Sequence, residues 1–107
     1  MRRGEIWWVN FDPSIGSEIK KTRPAVIISN DISNRYSMRV QVIPATSKIE
    51  RLYPPECYIK IKNKTVKLMA DQIMTVSKER LSNRIGKLND KEMKELEKVL
   101  SLQLDIN

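Results

Sequence analysis

The chain has 107 residues, 40% of them hydrophobic and 31% charged, with only three glycines and five prolines, which excludes low-complexity and disordered classes and predicts a single domain over 1–107. Lys and Arg number 20 against 13 Asp and Glu, a net charge of +7, so a polyanion is the first partner to test, against the plainer reading of a merely soluble basic domain. There is no histidine, which removes every His-based triad, dyad and zinc site, and the single cysteine, Cys57, makes neither an intramolecular disulfide nor a zinc centre. A lone thiol fits a reducing cytosol, and because Met1-Arg2-Arg3 is not followed by an apolar signal segment and no run approaches the ~20 apolar residues of a membrane span, a soluble intracellular protein is expected. So small a core makes a dimer interface a plausible source of further stability.

Gly4 to Phe11 gathers aromatic and β-branched residues and stops at Asp12-Pro13, which predicts a first strand. Ser14 to Pro24 is polar and basic with a glycine and reads as a mobile loop. Ala25 to Ser29 is a short continuous apolar run, expected to be a strand buried on both faces. Residues 32–37 suit a loop or one helical turn, and Met38 to Pro44 alternates as a third strand. Residues 49–55 form a connection ending in Pro54-Pro55. Cys57 to Ile61 and Val66 to Ala70 then read as a hairpin with Asn63-Lys64 at its tip. Asp71 to Val76 continues or restarts that strand, Ser77 to Leu81 suits one capped helical turn, and Arg84 to Leu88 suits a last strand.

The C-terminal segment carries the most complete local signal. Asn89 is a good N-cap, Glu92 completes a capping box, and Leu88 with Met93 forms a hydrophobic staple. Met93, Leu96, Val99, Leu100 and Leu104 then recur at helical spacing, predicting an amphipathic helix. The whole reads as a small, mostly antiparallel β domain with a helix laid against it.

Few groups remain for acid or base chemistry. Arg23, at a strand start before Pro24, either projects a planar donor fork toward a phosphate or is an ordinary solvated or ion-paired arginine. Thr46-Ser47 offers two hydroxyls at a strand end, for a phosphate or for local turn hydrogen bonds. Glu18 is the loop carboxylate best placed to act as a base or to position Arg23, while Asp71-Gln72 suits either base-edge hydrogen bonding or a bulge. RNA makes such an inventory sufficient, because its 2′-hydroxyl is an internal nucleophile. Trp7, Trp8, Tyr53 and Tyr58 are candidates for base stacking, but adjacent Trp7 and Trp8 on a strand point to opposite faces, which favours one in the core and one at an interface.

Gly4-Glu5-Ile6-Trp7-Trp8-Val9-Asn10-Phe11-Asp12-Pro13, Gly16-Ser17-Glu18 and Thr22-Arg23-Pro24-Ala25-Val26-Ile27-Ile28-Ser29-Asn30-Asp31 resemble the N-terminal signature of MazF/PemK-like toxins. The likeness continues through Val42-Ile43-Pro44-Ala45-Thr46-Ser47 and Ala70-Asp71-Gln72-Ile73-Met74-Thr75-Val76 to Arg80-Leu81. The resemblance implies a mainly β fold, an SH3-like barrel of the plasmid-maintenance toxin type with a C-terminal α-helix. It also implies a cytoplasmic homodimer that cuts single-stranded mRNA independently of metals, cofactors and ribosomes, and that is neutralised by a cognate antitoxin. By the same resemblance Arg23 and Thr46 act together at the scissile phosphate, with Glu18 a further catalytic candidate. Ser17, Lys20, Lys21, Ser47, Lys48, Asp71 and Gln72 are the implied RNA-binding positions, and the 14–22 loop gates RNA access and meets the antitoxin. Ser77 stands where many relatives carry Asp, and the loop histidine of some plasmid-borne members is absent. The alternatives are a toxin of the same fold that inhibits a protein target of the gyrase type, and a non-catalytic nucleic-acid-binding barrel.

Overall fold

The computed structural model describes residues 1–106. Seven strands and two helices follow in the order β1 (Glu5–Asn10), β2 (Thr22–Ile27), α1 (Asp31–Tyr36), β3 (Arg39–Thr46), β4 (Glu56–Ile61), β5 (Lys64–Met69), β6 (Met74–Ser77), β7 (Leu81–Lys87) and α2 (Asp90–Leu104). The strands run β4-β5-β3-β2-β1-β7 across one antiparallel sheet, with β6 paired to β3 off that path. The sheet curls into a half-barrel: β4 and β7 remain its two edges.

Strand alternation explains two apolar clusters rather than one. Val26 and Ile28 join Ile43, Ala45, Leu68, Leu96 and Val99 on one side, while Ala25 and Ile27 join Val9, Val40, Val42 and Val76 on the other. The continuous apolar run is therefore buried on both faces, as its lack of alternation predicts, although its strand starts earlier, at Thr22. Trp7 packs against the second cluster, and Trp8, on the opposite side, is 39% exposed.

The local signals hold in kind, with β7 beginning at Leu81, three residues before the expected Arg84, and with three further adjustments. The hairpin tip is Lys62-Asn63, one residue earlier than expected, because both adopt positive φ (50° and 66°) and Ile61 pairs with Lys64 across a two-residue turn. Asp71 to Val76 restarts rather than continues: a 3-10 turn at Ala70–Gln72 redirects the chain, so that β6 pairs with β3 instead of β4. In α2 the capping box forms and Leu96 and Val99 are buried, but Leu104 lies 46% exposed in the last turn.

Glu5 ties the sheet edge together. Its carboxylate accepts from the Arg2 amide at 2.9 Å and the Trp7 indole at 3.0 Å, and pairs with Arg84 of β7 at 3.2 Å. Burial opposes ionisation, but these hydrogen bonds and the positive charges of the N-terminus and Arg84 outweigh it, holding the carboxyl below its ordinary 4.5. A carboxyl depressed on folding contributes stability that is present above 4.5 and is lost as pH falls through its folded value. Glu5→Gln is accordingly expected to lower unfolding free energy by about 1 kcal/mol at pH 7, a difference that shrinks progressively as pH falls below 4.5, as measured by denaturant titration across that range.

Candidate nucleic-acid interface

β2 pairs with β3 from Ala25 opposite Pro44 to Ile27 opposite Val42, so the antiparallel pair brings Arg23, near the start of β2, and Thr46, at the end of β3, to the same end of the sheet. Both side chains line one groove of about 450 Å3, together with Trp8, Pro24, Ala45, Ser47, Ile61, Lys62, Lys64, Val66 and Ile85. Every charged side chain in that lining is cationic.

Arg23 is half-buried, and its Nε donates to the Lys20 carbonyl at 2.8 Å, which orients the guanidinium and leaves both Nη groups for a ligand. Among the described residues no carboxylate pairs with it. Thr46 is 8% exposed, and its hydroxyl oxygen accepts from the Lys48 amide at 3.2 Å, so the hydroxyl proton is available to donate into the groove. Ser47 stands exposed beside it. The arrangement supplies a charged fork and a hydroxyl donor on one wall, with the half-exposed Trp8 ring nearby for stacking.

The other predicted site residues lie outside the lining. Ser17, Glu18, Lys20 and Lys21 sit exposed in the connection between β1 and β2. Glu18 closes a turn there: its carboxylate accepts from the Ile15 amide at 2.8 Å, and its own amide donates to the Ile15 carbonyl. It does not position Arg23, since that task falls to the Lys20 carbonyl. Asp71 and Gln72 occupy the 3-10 turn, and Lys48 is exposed just past Ser47.

Three contributors are absent from the sequence-based set. Arg80 donates to the carbonyls of Asn10 and Asp12, and so pins the base of the β1–β2 connection from 68 residues away. Only its place in the family-like stretch Arg80-Leu81 marks it in the sequence. Lys62 and Lys64 enter the groove from the β4–β5 hairpin, where the turn signal alone is visible in the sequence.

The loop that follows Thr46 is held by a buried ion pair. Lys67, opposite Thr46 on β5, contacts Glu56 at 2.8 Å, and both side chains are 8% exposed. Lys67 also donates to the Arg51 carbonyl at 2.7 Å and lies 5.3 Å from the centre of the Tyr53 ring, while Glu56 accepts from the Tyr53 amide. The pair thus closes the 47–55 loop with both charges hydrogen-bonded. Tyr53 and Tyr58, named above as stacking candidates, both keep exposed rings beside this network, and the Tyr58 hydroxyl donates to the Ile49 carbonyl at 2.9 Å. Cys57 is buried beneath: burial first, then the charges of Glu95 and Glu92, pushes its thiol up to about 11, so it is protonated at neutral pH and serves packing.

The family described as PemK-like, MazF-like toxin of type II toxin-antitoxin systems matches residues 2–104. The chain belongs to that family. It is 38% identical to Endoribonuclease MazF9 of Mycobacterium tuberculosis, across 99% of this chain and 98% of the relative. It is 34% identical to Endoribonuclease MazF of Staphylococcus saprophyticus, across 100% and 93%. Among solved structures, MazF of Deinococcus radiodurans superposes with a TM-score of 0.88 at 24% identity, covering 99% of this chain and 97% of that one. A mycobacterial endoribonuclease in complex with its cognate antitoxin gives 0.84 at 21%, covering 100% and 97%. At those identities the structures establish the shared fold. In this PemK-like, MazF-like chain no described helix is long and apolar enough to cross a membrane.

Breaking the buried pair tests its hold on the loop. Lys67→Met, which strands Glu56 without a counter-charge, is expected to cost about 3–5 kcal/mol in denaturant unfolding, and Lys67→Met with Glu56→Gln to recover part of it.

Proposed function

We propose that this chain is the RNA-cleaving toxin of a type II toxin–antitoxin pair, a cytoplasmic, sequence-selective endoribonuclease that cuts single-stranded mRNA without the ribosome and works as a homodimer. The observation that carries the reading is the convergence of Arg23 and Thr46 on one cationic groove, in a chain whose full-length relatives are named endoribonucleases. With no imidazole to hand, the substrate supplies the nucleophile. The ribose 2′-oxygen attacks the adjacent phosphorus, the bond to the 5′-oxygen breaks, and the proton lost from the 2′-hydroxyl is balanced by one gained at the leaving oxygen. The products are a 2′,3′-cyclic phosphate and a 5′-hydroxyl. Arg23 meets the charge that grows on the phosphoryl oxygens through its free Nη groups, and Thr46 donates to a second oxygen and fixes the phosphate against the ribose. Ser47 and Lys48 extend the same wall, Asp71 and Gln72 offer base-edge hydrogen bonds, and Ser17, Lys20 and Lys21 guide the strand from the β1–β2 connection. Glu18 acts at the phosphate only if that connection folds over the groove.

The antitoxin partner follows from the family and from charge. A relative of the same fold is solved with its cognate antitoxin, and a net charge of +7 suits an acidic, disordered inhibitory segment. Neither the protein-inhibiting alternative nor the non-catalytic barrel has a relative of its kind among these proteins.

The reading is tested by incubating the protein with a long single-stranded RNA in EDTA. The wild type is expected to cleave, Arg23→Ala and Thr46→Ala each to lose about 10²- to 10³-fold in rate, and Thr46→Ser to retain most of it. Absence of cleavage by the wild type, or undiminished cleavage by Arg23→Ala, overturns the reading.

A further inference from the structure

We propose that Lys62 and Lys64, at the tip of the β4–β5 hairpin, grip backbone phosphates of the RNA beside the scissile one. The inference deepens the RNA-cleaving reading above and rests on it. Both lysines line the groove that holds Arg23 and Thr46. Both are exposed, and among the described residues neither is in an ion pair, so their charge is not spent within the protein.

The tip is a rigid mount. Six consecutive residue pairs from Glu56 and Met69 to Ile61 and Lys64 hold the hairpin up to its two-residue turn. That turn sets Lys62 at φ 50° and Asn63 at φ 66°. Asn, Asp and Gly adopt such a conformation readily, and hairpin turns of this kind favour Asn-Gly; lysine at the first position is a poor choice for the fold. A side chain kept where the backbone disfavours it, and aimed into a cationic groove, points to a role in binding.

The chemistry of the group selects the phosphate. A lysine ammonium is a compact point charge without the planar fork that reads a base edge bidentately. Strand order selects which phosphate: β3 lies between β5 and β2, so the hairpin strand stands about 10 Å from the strand of Arg23. The hairpin therefore meets a different part of the same RNA strand.

The test compares kcat/KM for cleavage of one long single-stranded RNA at 50, 100 and 200 mM KCl, in the wild type, Lys62→Asn, Lys64→Gln and the double variant, with cut sites mapped. Each lost phosphate contact lowers the slope of log kcat/KM against log salt by about 0.7, so the double variant loses about sevenfold less than the wild type over this range. Cut sites are expected to stay unchanged, and Lys62→Asn to melt at or above the wild-type temperature, because asparagine suits its φ. A purely structural role would instead lower stability and activity together. A wild-type salt slope in the double variant, relocated cut sites, or a lowered melting temperature that tracks the activity loss of Lys62→Asn each overturns the lysine assignment alone. Absence of cleavage by the wild type overturns the RNA-cleaving reading, and this inference with it.

Discussion

The pairing of β2 with β3 is the constraint on which the site depends. Ala25 opposite Pro44 fixes the register that brings the start of β2, with Arg23, beside the end of β3, with Thr46, and slippage would separate them along the strands. Both faces of these strands are buried, with Val26 and Ile43 on one side and Ile27 and Val42 on the other, so a slip would have to repack both clusters at once. The same packing that makes the centre of the sheet stable makes the geometry of the groove reproducible. Loops then add reach to it. The β1–β2 connection is pinned by Arg80, and the 47–55 loop is pinned by Lys67 and Glu56.

Much of this was legible in the sequence, for physical reasons that differ by element. The apolar run Ala25 to Ser29 reads as a strand buried on both faces, which holds as far as Ile27, where β2 ends, and Asn89 with Glu92 marks a helix start that forms. Arg23 and Thr46 stood at a strand start and a strand end, and their union needed one register, which the family-like motifs supplied. Less legible was what long-range contacts decide. The turn at Ala70–Gln72 sends β6 to β3, a choice made by tertiary packing that a local pattern of apolar residues does not encode. Leu104 satisfies the helical period yet stays 46% exposed, because a period says which face a residue occupies and not how far the partner surface extends.

Charge follows the same division. The excess of +7 pointed to a polyanion without saying where it would bind. The structure concentrates that meaning: Arg23, Lys62 and Lys64 gather in one groove, whereas Arg80, Arg84 and Lys67 hold the fold through carbonyls and carboxylates. Counting charges treats these two groups as equivalent, and only their partners separate them. The absence of histidine constrains more tightly, because it leaves phosphate-binding groups but no side chain that titrates near neutrality without help.

In the proposed reaction the substrate brings its own nucleophile to a groove lined by Arg23 and Thr46. An RNA carrying a single 2′-deoxy nucleotide immediately 5′ of a mapped cut site isolates that step. Cleavage is expected to stop at that site while neighbouring ribose-containing sites are still cut, and the unmodified RNA to yield 2′,3′-cyclic phosphate ends or their hydrolysis product. Cleavage of the deoxy-substituted site at the unmodified rate would contradict the proposed reaction.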